Sequence, residues 1–244
     1  MAPYRRHDDE AERIAALLAT VIGLPSAEVQ LARGVVGEGI ISRNVTPDGW
    51  DIQGGDVSLS EIPGYVSCAG DMRPRERRGH NLENIRRVLK SALGPPGLCE
   101  DWAAFDVFVG YLAFDAWIAN TDRHAYNWAI LSRGSERRLA ASFDHGSALA
   151  SGVPDEDLLD KDPIEFSHNG RAGRFEGGST RSLVELATEG RELAGAAASE
   201  WFGRIAGVDR TLVEDVVGAV PRMSVVRHRF LTKVLMENAR RLAS

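Results

Sequence analysis

Apolar positions near the start of the chain follow a helical rhythm. Ala11, Ile14, Ala15, Leu17, Leu18, Val21 and Ile22 recur at helical spacing, which predicts an amphipathic helix over roughly Asp8 to Ile22. Gly23 and Pro25 follow where such a helix should stop. Glu28 to Ala32 alternates as a strand does, Gly39 to Val45 reads as a second strand, and Thr46-Pro-Asp-Gly49 carries turn chemistry. Further on, Asn81 to Leu93 has helical periodicity, closed by Gly94-Pro-Pro-Gly97. A longer helix is predicted from about Glu100 to Ala119. It carries Trp102, Phe105, Phe108, Tyr111, Phe114 and Trp117 and is apolar around most of its circumference, as a helix at the centre of a domain is. Two apolar runs, Trp128 to Leu131 and Leu139 to Phe143, flank the polar segment from Ser132 to Arg138 and predict a hairpin. Residues 151 to 180, rich in Gly, Asp, Ser and Arg, read as a long mobile loop, and 181 to 243 return to helices. The expectation is an α+β chain, with a small helix-and-strand unit over residues 1–60 and a mainly helical lobe over 61–244.

Composition narrows the class. A 43% hydrophobic and 26% charged chain of 244 residues is ordinary for a globular protein with a sizeable core. With 29 basic against 35 acidic residues, the formal charge of -6 argues against direct nucleic-acid binding, which needs a basic footprint. Cys68 and Cys99 form no metal or disulfide pattern, no basic-then-apolar leader opens the chain, and no apolar run reaches the roughly 18 residues that span a bilayer, so a cytoplasmic, membrane-free setting is expected. Lysine occurs only at positions 90, 161 and 233, so arginine carries nearly all the positive charge.

The chemistry concentrates in Ala119-Asn-Thr-Asp122-Arg-His124-Ala-Tyr-Asn127 and Ser142-Phe143-Asp144-His145-Gly146. Asp122 and Asn127 stand five apart in a loop leaving the apolar helix, and Asp144 closes the hairpin that begins at Asn127. A hairpin brings its two ends together, so Asn127 and Asp144 should be neighbours with Asp122 close by. Phosphoryl transfer needs this set: one carboxylate for the attacking hydroxyl, and an amide oxygen and a second carboxylate to hold Mg²⁺ against the phosphates.

These segments resemble the catalytic core of the HipA-like kinases, within the group that includes phosphatidylinositol 3- and 4-kinase-like enzymes, whose loop reads D-x-H-x-x-N. The resemblance implies a protein-kinase-like fold, use of ATP and Mg²⁺, and transfer of phosphate to a hydroxyl, on a protein Ser or Thr by analogy. It implies Asp122 as catalytic base, Asn127 and Asp144 as Mg²⁺ ligands, His124 in the nucleotide-site loop and Phe143 flanking the nucleotide. A looser likeness over Ala11 to Ala32 makes Glu12 the lysine-pairing glutamate and puts Ser42 and Asn44 at the adenine-contacting hinge. That family carries a Gly-rich loop and a strand lysine ahead of this helix. No lysine here precedes Lys90, so the upper lobe is expected to be truncated, through a clipped reading frame, true loss, or a partner chain that supplies the rest.

Other readings stand beside this one. A kinase-derived binding module, or half of a split kinase, fits the missing lysine. A metal-dependent hydrolase could draw on Asp122, His124, Asp144, His145 and His168, although no HExxH-type spacing is present. Gly34 to Gly39 reads as a turn between strands rather than a phosphate loop. Arg171, Arg174 and Arg181 could bind a phosphate or an acidic substrate, but a solvated loop is the default for them.

Overall fold

A computed structural model describes residues 7–35, 37–67, 78–178, 180–221 and 223–244. Cys68 lies outside the described residues. The first helix, α1 (Asp8–Ile22), has the predicted bounds. Asp8, Asp9 and Glu10 fill its first turn, where carboxylates favour the positive end of the helix dipole. Gly23 ends it in a left-handed turn at φ 66°, a conformation that suits glycine. Ile14, Leu18 and Ile22 are buried in the main core.

The strands β1 (Val29–Gly34) and β2 (Gly37–Ser42) form an antiparallel hairpin with Val29 opposite Ser42. A second sheet has the order β3-β4-β5, from β3 (Asp51–Gly54), β4 (Ala129–Arg133) and β5 (Glu136–Leu139). The short strand β3 went unpredicted, and it pairs antiparallel with β4 across the boundary expected near residue 60. Gly55 makes this possible. Its N–H donates to the Trp128 carbonyl at 2.8 Å, and a Cβ there would fall 2.1 Å from the indole.

The β4–β5 hairpin is tighter than the apolar runs suggest. Its strands extend into the polar segment, and the turn is Gly134-Ser135, with Gly134 at φ 60°. The arginines there are held both within the sheet and from outside it. Arg138 bonds to Glu136 at 2.6 Å and donates to the Glu100 carbonyl at 2.7 Å, while Arg137 donates to Ser91 Oγ at 3.0 Å. Beyond the hairpin, Ala27 donates to the Ser142 carbonyl and Ser142 to that of Pro25, tying the hairpin's end to the α1–β1 connection.

The helices α2 (Gly55–Ser60) and α3 (Leu82–Leu89) precede the central α4 (Ala104–Trp117). Asn81 caps α3, accepting from the Asn84 N–H at 2.9 Å. The helix stops short of the predicted Leu93 because Leu93 pairs with the β5 strand, donating to Arg137 and accepting from Leu139. Every residue of α4 is buried, as its all-round apolar character predicts. Around it stand α7 (Leu183–Leu193), α8 (Ala198–Ala206) and α10 (Val225–Ala243), while α9 (Arg210–Gly218) packs on α10 and α1. Gly110 on α4 lets the Trp201 indole approach to within 2.6 Å of where a Cβ would sit. At its far end α4 is latched to α10: Trp117 Nε1 donates to the Leu235 carbonyl, and Asn238 Nδ2 to the Trp117 carbonyl, both at 3.1 Å.

Residues 151–180 are not the unstructured loop their composition suggests. They contain α5 (Asp155–Leu158) and α6 (Pro163–Asn169), the latter capped by Asp162 with proline in its first turn. The fully buried Arg227 of α10 donates to Asp155 at 2.7 Å and to the Ala150 carbonyl at 3.1 Å, holding this segment down. Among the described residues, no helix is long and apolar enough to cross a membrane.

Candidate active site

The chain leaves α4 through Ala119, at φ 54°, and enters the loop that carries Asp122. Asn120 folds back to Asp115 Oδ1 at 2.8 Å and accepts from the Asp122 N–H at 3.1 Å. His124 N–H donates to the Asp122 carbonyl at 2.7 Å, and Asn127 Nδ2 donates to the same carbonyl at 3.0 Å. The six-residue loop is thus closed on itself. Because the Asn127 side-chain nitrogen is spent in this way, its oxygen is left for another partner.

Arg123 holds the loop from beneath. Its Nε and Nη2 donate to Asp115 of α4 at 2.7 and 2.8 Å, and its Nη1 donates to the Asn127 carbonyl at 2.7 Å. Nη2 also reaches Ser142 Oγ at 3.0 Å and His145 Nε2 at 3.3 Å. One guanidinium therefore joins α4, the Asp122–Asn127 loop and the residues flanking Asp144. Burial works against the Arg123 charge, and Asp115 outweighs it, so the guanidinium lies above its ordinary pKa. Sequence reading passed over this residue. The available signal was Asp115, a carboxylate in a helix with no polar face, which demands a buried cationic partner.

Asp144 is exposed and has φ 61°, a strained conformation for a residue with a side chain. It lies close enough for its charge to act on Glu12, Arg123 and His124. Glu12 reaches this turn from α1. Its Oε1 accepts from the Gly146 N–H at 2.9 Å, and the His145 N–H also bonds to it. Glu12 is buried and held by backbone rather than by a lysine. Burial, and after it the Asp144 charge, push its carboxyl up to about 7.

His145 is buried, and burial together with the Arg123 charge holds it well below its ordinary pKa, so the ring is neutral. Its Nε2 accepts from Arg123 and Ser142, which leaves the proton on Nδ1, 3.8 Å from Glu12. His124 is half-buried. Its Nδ1 has no hydrogen-bond partner among the described residues, and burial chiefly lowers its pKa.

Phe143 is half-buried and packs against both Ala16, Ala27 and Val29 and Ala129, Leu131 and Ala140. Val45 joins both groups, so the linker after β2 meets Phe143. Ser42, the last residue of β2, and Asn44 on that linker are both exposed, and Asn44 Oδ1 accepts from the Thr46 N–H at 3.0 Å. A hydrolase metal site does not assemble. His168 pairs with Glu237 at 3.0 Å, and among the described residues no three His, Cys, Asp or Glu side chains gather as ligands. The exposed Asp144 carboxylate and the Asn127 amide oxygen are each hard oxygens, the donor type Mg²⁺ takes while keeping several waters.

The helix α1, two small sheets and a helical body packed on α4 make a kinase-like fold of the HipA and CtkA kind with a truncated sheet lobe. Among solved structures, the crystal structure of the Helicobacter pylori proinflammatory kinase CtkA aligns over 99% of this chain and 84% of its own, with a TM-score of 0.70 and 16% identity. A chain of the Shewanella oneidensis MR-1 toxin–antitoxin complex of HipA, HipB and operator DNA aligns over 94% of this chain at a TM-score of 0.58 and 13% identity. This chain spans only 55% of that one. Protein-family models and curated proteins give no match to the sequence.

Proposed function

We propose that this chain transfers the γ-phosphoryl group of ATP to a hydroxyl on a substrate, with protein serine or threonine as the acceptor class. The observation that carries the reading is the Arg123 bridge, which fixes the Asp122–Asn127 loop against the residues flanking Asp144. On this reading the brace keeps Asp122 and Asn127 in fixed relation to the turn that bears Asp144, on a kinase-like fold. Catalysis of this kind is mostly positioning and charge stabilisation, which a buried brace supplies.

In this reading Asn127 and Asp144 hold Mg²⁺, which neutralises phosphate charge when bound. Asp122 accepts the proton of the attacking hydroxyl. The bond from the γ-phosphorus to the bridging oxygen breaks, a bond to the acceptor oxygen forms, and ADP leaves. Neutral His145 keeps its lone pair toward Arg123, so the brace carries one positive charge and is not repelled. In this reading the adenine ring lies against the apolar group that Phe143 and Val45 share, and His124, Ser42 and Asn44 are assigned to the same nucleotide site.

A second reading keeps the fold without independent turnover, as a binding module or one half of a split kinase. It draws support from β2, most of whose residues are exposed, Ile41 at 66%, and whose strand neighbour among the described residues is β1 alone, as suits an edge to which a partner chain adds strands. Thermal unfolding with and without MgATP separates the readings. A Mg²⁺-dependent rise that Asp144→Asn abolishes supports nucleotide binding by this chain alone, whereas a well-folded chain with no rise supports the module.

A further inference from the structure

Of the three arginines in the 171–181 segment, two are occupied away from the site. Arg171 donates to the His168 carbonyl at 2.9 Å, and Arg181 pairs with Glu189 at 3.1 Å. Arg174 differs: its Nε donates to Asp122 Oδ1 at 2.5 Å. The rest of its guanidinium makes no hydrogen bond among the described residues, and the side chain is 34% exposed.

The backbone beneath Arg174 is built, not loose. The Arg174 carbonyl is bonded to His80 Nδ1 at 2.9 Å, and the next residue, Phe175, stacks on the His80 ring at a centroid distance of 4.4 Å. Glu176 accepts from the Gly79 N–H at 2.9 Å and from Asn81 Nδ2 at 2.6 Å. The segment is therefore pinned to the start of α3, and only the arginine side chain is free to swing.

The charge distribution of the site says what it swings to. Two cations act on His124 in the loop, Arg123 and Arg174. Arg123 is fully buried and engaged at all three nitrogens, so it cannot meet a substrate. Residues 1–89 contain no lysine that could share this task. A transferring phosphoryl group spreads negative charge over its peripheral oxygens and needs a cation there.

We propose that Arg174 is the cation that faces the γ-phosphate, and that it exchanges Asp122 for that phosphate when nucleotide arrives. The assignment rests on the phosphotransfer reading above. The geometry follows from the base itself: a carboxylate that takes the acceptor's proton stands beside the γ-phosphorus, so a guanidinium bonded to that carboxylate is one side-chain rotation from the phosphoryl oxygens. The two unengaged nitrogens form the fork that grips a phosphate. The exchange has a second effect. While Arg174 is on Asp122 the base is neutralised and covered, and transfer of the guanidinium to phosphate uncovers it, so the base is released only when there is a phosphoryl group to transfer.

The test is calorimetric titration of the full chain with MgADP and with the magnesium salt of an imido-bridged, non-hydrolysable ATP analogue. In Arg174→Ala the analogue should bind about tenfold more weakly while MgADP is unchanged. Arg174→Lys should recover part of the loss, because it keeps the charge without the fork. Asp122→Asn, which removes the competing carboxylate, should tighten the analogue relative to MgADP. Equal losses for both ligands in Arg174→Ala would reduce Arg174 to a structural role and overturn the assignment. Unchanged or tighter analogue binding would make it a simple restraint on Asp122, again overturning it. A wild-type chain that binds neither ligand overturns the phosphotransfer reading itself.

Discussion

Asp115 and Arg123 form a two-bond ion pair at 2.7 and 2.8 Å, and both side chains are almost wholly withdrawn from water. Eight residues and the end of a helix separate them, so the pair fixes how the chain turns from α4 into the Asp122 loop. Removing one member leaves the other charged and buried, which costs about 3–5 kcal/mol. Asp115→Ala should lower the unfolding free energy by that order in urea denaturation, and any folded fraction should lose MgATP binding. A loss under about 1 kcal/mol would mean that the pair does not brace the loop.

The Asp122 and Asp144 assignments separate in their effects. Asp122→Asn should lower phosphotransfer by roughly 100- to 10,000-fold and leave MgATP able to stabilise the fold. Asp144→Asn should abolish that stabilisation as well. Radiolabel transfer and thermal unfolding, run on both variants, check the split; full activity in Asp122→Asn would remove it as the base.

Glu12 predicts a pH signature in stability. Its carboxyl is raised from an ordinary 4.5 to about 7 in the folded chain, so between these values the folded state holds a proton that the unfolded chain has released. The corresponding stability is fully present below pH 4.5 and is lost as pH rises through about 7. The total is at most about 3 kcal/mol. In Glu12→Gln this part of the pH profile should be missing, and the difference between the two proteins in metal-free buffer isolates it. Parallel profiles would show that Glu12 titrates normally.

Gly110 sets close packing against helix propensity. Alanine in a helix interior is favoured over glycine by about 1 kcal/mol. Here the new Cβ would meet the Trp201 indole at 2.6 Å, and that ring is fully buried with its Nε1 bonded to the Asp106 carbonyl at 3.1 Å. Overpacking of this kind costs about 1–3 kcal/mol, so Gly110→Ala should lower the melting temperature. A higher melting temperature would show that the indole can retreat.

The sequence made visible those parts of the fold that repeat or that bury a whole face. Helix α1, the all-round apolar α4 and the β4–β5 hairpin each carry a local period, and the Asp122–Asn127–Asp144 spacing follows from that hairpin. Strand β3 escaped because Asp51, Ile52 and Gln53 are all exposed and leave no alternation to read. The helices α5 and α6 have four and seven residues, too few for a periodic stripe, although Asp162-Pro163 was a readable start signal. The pairings of Arg123 and Arg174 escaped for another reason, although Asp115 signalled a buried cation and Arg174 was a candidate phosphate binder. These partners lie 8, 19, 22 and 52 positions away, and such contacts exist only once the chain is packed.

The latch between Trp117 and α10 has a consequence for how the loop's root is kept in place. The segment that ends α4 and launches the Asp122 loop is held by Leu235 and Asn238, 118 and 121 positions further along the chain. The root is therefore fixed only where α10 is packed against it, and a local opening of that helix would loosen the loop without breaking any bond inside it.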